Sequence, residues 1–118
     1  MISKFSVLSL LLLILISTQN VFASETAEAL VRKAVSENPA ESAVAIEELR
    51  ALGPAGLNTL MMRYADEIKQ HIDDPLLKTD PEWQRITNAL DAVSGQKNSY
   101  ISGLYWYTDL KQAQKAAN

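Results

Sequence analysis

The chain contains no cysteine among its 118 residues. That excludes a disulfide framework, a cysteine-type zinc site and any thiol nucleophile or redox pair carried by the chain itself. It has one histidine, His71, too few to supply the three or four ligands of a zinc site together with the loop acids Asp73 and Asp74. Basic residues are fewer than acidic ones, with a formal net charge of -3, so the basic face that phosphate-backbone binding needs is missing. Proline and glycine number four each. Their scarcity leaves long uninterrupted segments, and their positions punctuate those segments into helices.

What is present begins with a leader. Lys4 provides a short positive start, and Phe5 to Ile16 is apolar except for Ser6 and Ser9. A polar stretch, Ser17 to Asn20, ends the run, and Val21, Phe22 and Ala23 follow. The pattern fits a secretory signal peptide over residues 1–23, cleaved between Ala23 and Ser24. The run is shorter than the roughly 20 apolar residues of a membrane span, so a retained anchor is not expected. No cysteine follows it, which excludes attachment through a lipidated thiol. The localisation read from this is export, to a bacterial periplasm or the outside. The mature part, residues 24–118, keeps all 14 acids and is long enough for one modest core.

The mature part reads as an all-α domain over residues 24–95, followed by an aromatic linker and terminal helix over 96–118. From Glu25 to about Ser36, Ala27, Leu30, Val31, Ala34 and Val35 make one helical stripe. Asn38 caps a second helix with Pro39 at its first position. Ala45, Ile46, Leu49 and Leu52 form its main face, while Ala40, Ala43, Val44 and Ala51 extend the apolar surface, which predicts a helix lying between two neighbours. Gly53-Pro54 is the sharpest turn: Gly53 suits a left-handed helix end and Pro54 suits a helix start. A third helix is expected from Pro54 to His71 on Leu57, Leu60, Met61, Tyr64, Ala65 and Ile68. Residues 73–80 read as a loop. Asp80 and Pro81 open a fourth helix with Trp83, Ile86, Leu90 and Val93 on its buried edge, ending at Ser94-Gly95. Residues 96–107 are expected to be extended or irregular, and Thr108 to cap a last helix from Asp109 to Ala117, mobile from about Lys111 onward. The fold class is therefore a small helical bundle, or antiparallel helical hairpins, of four to five helices.

No catalytic set assembles from these residues. Glu47 and Glu48 are adjacent on a helix and diverge by about 100°. GPAG at 53–56 lacks the Lys and Ser/Thr of a phosphate loop, and the acids Asp73, Asp74 and Asp80 lack calcium-loop spacing. His71 is expected at a solvated helix end. The chain is thus read as non-catalytic and without a metal or cofactor. The aromatic residues Tyr100, Tyr105, Trp106 and Tyr107 form the candidate interaction surface, suited to large contact area with polar tips. The alternative is that they pack on the helical core or on a further domain. A small apolar-ligand carrier between helices is a further alternative.

Two stretches carry resemblances. Residues 43–62, AVAIEELRALGPAGLNTLMM, resemble a HEAT-type helical hairpin, with Leu49, Leu52, Gly53, Pro54, Leu57 and Leu60 in the places of its Leu-Gly turn and Leu-x-x-Leu opening. The resemblance implies either one such hairpin in a small bundle or a stacked array; no second copy stands at the period of roughly 40 residues. Residues 103–118, GLYWYTDLKQAQKAAN, resemble the start of exported thioredoxin-like domains in Trp106, Asp109, Leu110, Ala113 and Ala117. That family continues into a Lys-Pro strand and a cysteine motif, neither of which this sequence holds, so no oxidoreductase activity transfers. The resemblance implies the amino-terminal part of a longer product or a stand-alone helical relic. The partner is accordingly another protein or a carboxy-terminal domain, with no nucleic acid and no membrane anchor after cleavage.

Overall fold

Three of the helices, Pro39–Ala51, Pro81–Ser94 and Leu110–Ala117, begin where a side chain takes up an unpaired amide group. In the computed structural model, which describes residues 26–118, α1 covers 26–34 and α2 runs Pro39–Ala51. Asn38 caps α2, its side-chain oxygen accepting from the Ala40 and Glu41 amides at 3.1 and 3.3 Å. Beyond the Gly53 turn lie α3 (Pro54–Arg63), α4 (Ala65–Asp73), α5 (Pro81–Ser94), α6 (Ser99–Ser102) and α7 (Leu110–Ala117). Asp80 caps α5 by accepting from the Trp83 amide at 2.7 Å, and Gly95 closes it in the left-handed conformation at φ 79°. The described residues contain no strand, and the protein is all-α. The leader and the Ala23–Ser24 junction lie outside the described residues. Among those described, no helix is long and apolar enough to cross a membrane.

The core is organised around α5. Trp83, Ile86, Ala89, Leu90 and Val93 are all buried, and α5 packs on α2, α3 and α6. Val31 and Ala34 of α1, Ala45 and Leu49 of α2, Leu57 and Leu60 of α3 and Ile68 of α4 complete the cluster. Burial of one stripe per helix supplies most of the stability of helices this short.

Four expectations are corrected. The second helix packs on two neighbours, α3 and α5, but its extra apolar surface is not what they cover: Ala40, Ala43, Val44, Ala51 and Leu52 are exposed. Its extra apolar surface is mostly alanine, which favours helix without burial. The helix expected over Pro54–His71 is two helices, broken at Tyr64, whose backbone leaves helical geometry at φ -108°, ψ 25°. The buried stripe Leu57, Leu60, Tyr64, Ile68 runs through the break, and a stripe reports which side is apolar rather than whether the backbone stays regular. A short helix, α6, also forms at Ser99–Ser102 inside the stretch expected to be extended or irregular, so with the split at Tyr64 the count is seven helices among the described residues rather than four or five. Finally, the last helix is capped by Asp109, which accepts from the Lys111 amide at 2.8 Å; Thr108 is engaged elsewhere.

Tyr64 makes the core sensitive to alkali. Burial raises its pKa above the usual value of 10.0, against the opposing effect of the Arg63 guanidinium stacked 5.2 Å from its ring. The unfolded chain releases this proton first, so the stabilisation is complete below about pH 10 and is lost as pH rises through the higher folded value. Urea midpoints measured from pH 8 to 11.5 should fall more steeply for wild type than for Tyr64→Phe; parallel curves would refute the effect.

Candidate functional site

The end of a helix leaves carbonyl groups that need donors. At the end of α5 the Asp91 carbonyl accepts from the Gly95 amide at 2.9 Å, the Val93 carbonyl from Arg50 Nη1 at 2.7 Å, and the Ser94 carbonyl from the Trp106 amide at 2.7 Å. Two of these donors come from distant parts of the chain, and this draws residues 103–108 across the ends of α2 and α5 as a strap.

Arg50 is the hub. Its guanidinium also donates through Nη2 to the Trp106 carbonyl at 3.2 Å and to Thr108 Oγ1 at 3.0 Å. The strap answers through Tyr105, whose hydroxyl donates to the Arg50 carbonyl at 3.2 Å while its ring stacks 5.2 Å from the guanidinium carbon. A positive charge here also suits the carbonyl ends of both helices. Gln96 Nε2 fixes the start of the strap by donating to the Leu104 carbonyl at 2.8 Å and Ser102 Oγ at 2.7 Å. Gly95 is required beneath: a Cβ there would meet the Trp106 carbonyl oxygen at 3.1 Å and Arg50 at 3.3 Å, at a φ that side chains rarely adopt.

The four predicted aromatics are divided by this arrangement. Tyr105 and Tyr107 pack edge to face at 4.9 Å, both half-buried on the inner side. Leu104 and Trp106 alternate with them and stand in solvent, 59% and 58% exposed. Tyr100 belongs to a different cluster, packed edge-on against Trp83 at 5.2 Å. Gly53 and Pro54 lie in the turn between α2 and α3, with Pro54 at the first position of α3, but Gly53, at φ 67° and ψ -143°, does not adopt the left-handed helical conformation expected of it. Beside that turn a shallow groove of about 440 Å³ is lined by Arg50, Leu52, Tyr105, Tyr107 and Lys115.

His71 is not a solvated helix end. Its ring stacks on Trp83 at 3.7 Å and 6° between planes, its Nδ1 lies 2.9 Å from the Glu67 carbonyl, and its buried Nε2 has no hydrogen-bond partner among the described residues. A large flat neighbour covers it, which residue order alone does not reveal. Next to the stack a cleft of about 340 Å³ is lined by Ile72, Pro75, Leu77, Tyr100 and Ile101. The acids nearby have structural duties: Asp73 pairs with Lys69, Asp74 Oδ1 accepts from the Leu76 amide, and Asp80 caps α5. Among the described residues no three His, Cys, Asp or Glu side chains gather as metal ligands do.

Sequence reasoning missed Arg50, Gln96 and Gly56. Arg50 and Gln96 look like ordinary surface residues of a helix and a loop. Gly56 carried a signal, because a glycine inside a helix disfavours it by about 1 kcal/mol relative to alanine and so suggests a packing reason. A Cβ at Gly56 would land on the Leu49 carbonyl, so the backbones of α2 and α3 touch there.

No protein-family model matches this chain, and comparison with curated proteins and with solved structures gave no match either.

Proposed function

We propose that this chain is an exported, non-catalytic helical domain that works by contacting another protein, with the outer face of the 103–108 strap as its contact surface. One observation carries the reading: Trp106 and Leu104 are held outward in water on a segment fixed by hydrogen bonds from Arg50 and Gln96 and to the Ser94 carbonyl. A firmly ordered segment presenting bulky apolar side chains loses little further freedom on binding, which favours association. Ile101 and Leu110, on either side of the strap in sequence, are exposed as well. Export rests on the leader pattern of residues 1–23. Crosslinking in the exported fraction, compared between wild type and Trp106→Ala, tests the surface: the reading expects specific crosslinks that the substitution removes, and unchanged crosslinks would overturn it.

A second reading, the amino-terminal part of a thioredoxin-like protein, is favoured by the order of elements at the end of the chain. An uncoiled aromatic segment is followed by the Asp109 cap and helix α7, as the resemblance implies. Downstream coding sequence decides it: a continuation with Lys-Pro and Cys-x-x-Cys supports this reading, and unrelated sequence removes it.

A further inference from the structure

The strap's hydrogen bonds follow a two-residue alternation. Leu104 donates its amide to Ser102 Oγ at 3.3 Å and its carbonyl accepts from Gln96; Trp106 donates to the Ser94 carbonyl and its carbonyl accepts from Arg50. All four backbone groups of these two residues are thus turned onto the protein. Among the described residues, the amides and carbonyls of Tyr105 and Tyr107 have no hydrogen-bond partner. Side-chain burial alternates with the same period, Leu104 and Trp106 out, Tyr105 and Tyr107 in. In an extended chain both groups of one residue point to the same side, and the side reverses at the next residue. One edge of the strap is therefore satisfied, and the other offers two donors and two acceptors in strand register.

We propose that this edge accepts an extended, acidic segment of a partner polypeptide, which adds to the strap as a second strand. The inference rests on the contact-surface reading for its location and adds the mode of recognition. In antiparallel pairing, Tyr105 and Tyr107 would each exchange an N–H and a C=O with one partner residue, giving four hydrogen bonds. Leu104 and Trp106 supply the apolar contacts on the outer face. Charge selects the sign of the partner: after Asp91 the charged residues are Lys97, Asp109, Lys111 and Lys115, so this end is cationic in a chain that is otherwise acidic. The Asp109 carboxylate is already engaged on the Lys111 amide.

The probe is a display library of random twelve-residue linear peptides selected against the purified protein. Enriched peptides should alternate apolar and acidic residues, and a bound peptide should slow amide exchange at Tyr105 and Tyr107 at least tenfold while leaving Trp106 unchanged. N-methylation of one alternating set of peptide residues should abolish binding and of the other set be tolerated. Tyr107→Pro, which removes the outward donor, should bind about tenfold more weakly than Tyr107→Ala, which keeps it. Helical binders, binders that protect other amides, no enrichment, or concentration-dependent protection of Tyr105 and Tyr107 without peptide, which would make a second copy the occupant, each overturn the proposal. Crosslinks lost in Trp106→Ala would still uphold the contact surface, so the two failures are distinguishable.

Discussion

Gly56→Ala is expected to destabilise the protein by about 3 kcal/mol, the upper range for forcing atoms into a filled core. For a domain of this size that lowers the melting temperature by roughly 15 °C. The sign is what makes the experiment informative. Helix propensity alone favours alanine at a helical glycine by about 1 kcal/mol. The added Cβ, however, would occupy the position of the Leu49 carbonyl oxygen, and a backbone atom cannot rotate away as a side chain can. Either α2 and α3 separate, or the turn at Gly53-Pro54 distorts, and both loosen the buried contacts of Leu49, Leu57 and Leu60. Asn58→Ala, on the exposed side of the same helix, should change stability by no more than about 0.5 kcal/mol. Thermal unfolding followed by circular dichroism measures both, and a Gly56→Ala protein as stable as wild type would refute the close approach.

Arg50→Ala should release the strap. The Val93 carbonyl loses its donor at a part-buried helix end, and the Trp106 carbonyl and Thr108 hydroxyl lose theirs at the same time. Hydrogen bonds from a charged group contribute about 1.5–3 kcal/mol, so a loss of about 2 kcal/mol is expected, together with faster exchange of the Trp106 amide. Arg50→Lys separates charge from shape. Lysine keeps the positive charge near the helix ends but cannot present two parallel nitrogens to acceptors on different segments. It should recover less than half of the lost stability. Full recovery would mean that charge at the helix ends, rather than the guanidinium fork, holds the strap.

The helices were legible because their determinants are local. Asn38-Pro39, Gly53-Pro54 and Asp80-Pro81 mark starts and turns by side-chain and backbone chemistry within a few residues, and the structure uses all three. The buried edge of α5 was equally legible, since Trp83, Ile86, Leu90 and Val93 follow the helical period. The strap was legible only as a cluster of aromatics. Its geometry depends on Arg50 meeting Trp106 across 56 positions of sequence, and no local period encodes such a meeting. The same applies to His71: its stacking on Trp83 joins α4 to α5, and a lone histidine at a helix end gives no hint of it. The break at Tyr64 escaped because no proline or glycine marks it.

The central claim is that residues 104–107 lie ordered on the helical core with alternate edges satisfied and free. Residue-resolved amide hydrogen exchange on the unbound protein tests it most directly. The Trp106 amide, bonded to the Ser94 carbonyl, should exchange at least an order of magnitude more slowly than the flanking amides of Tyr105 and Tyr107. Equal, rapid exchange across all three would contradict the claim, since the segment would then have no fixed edge to present.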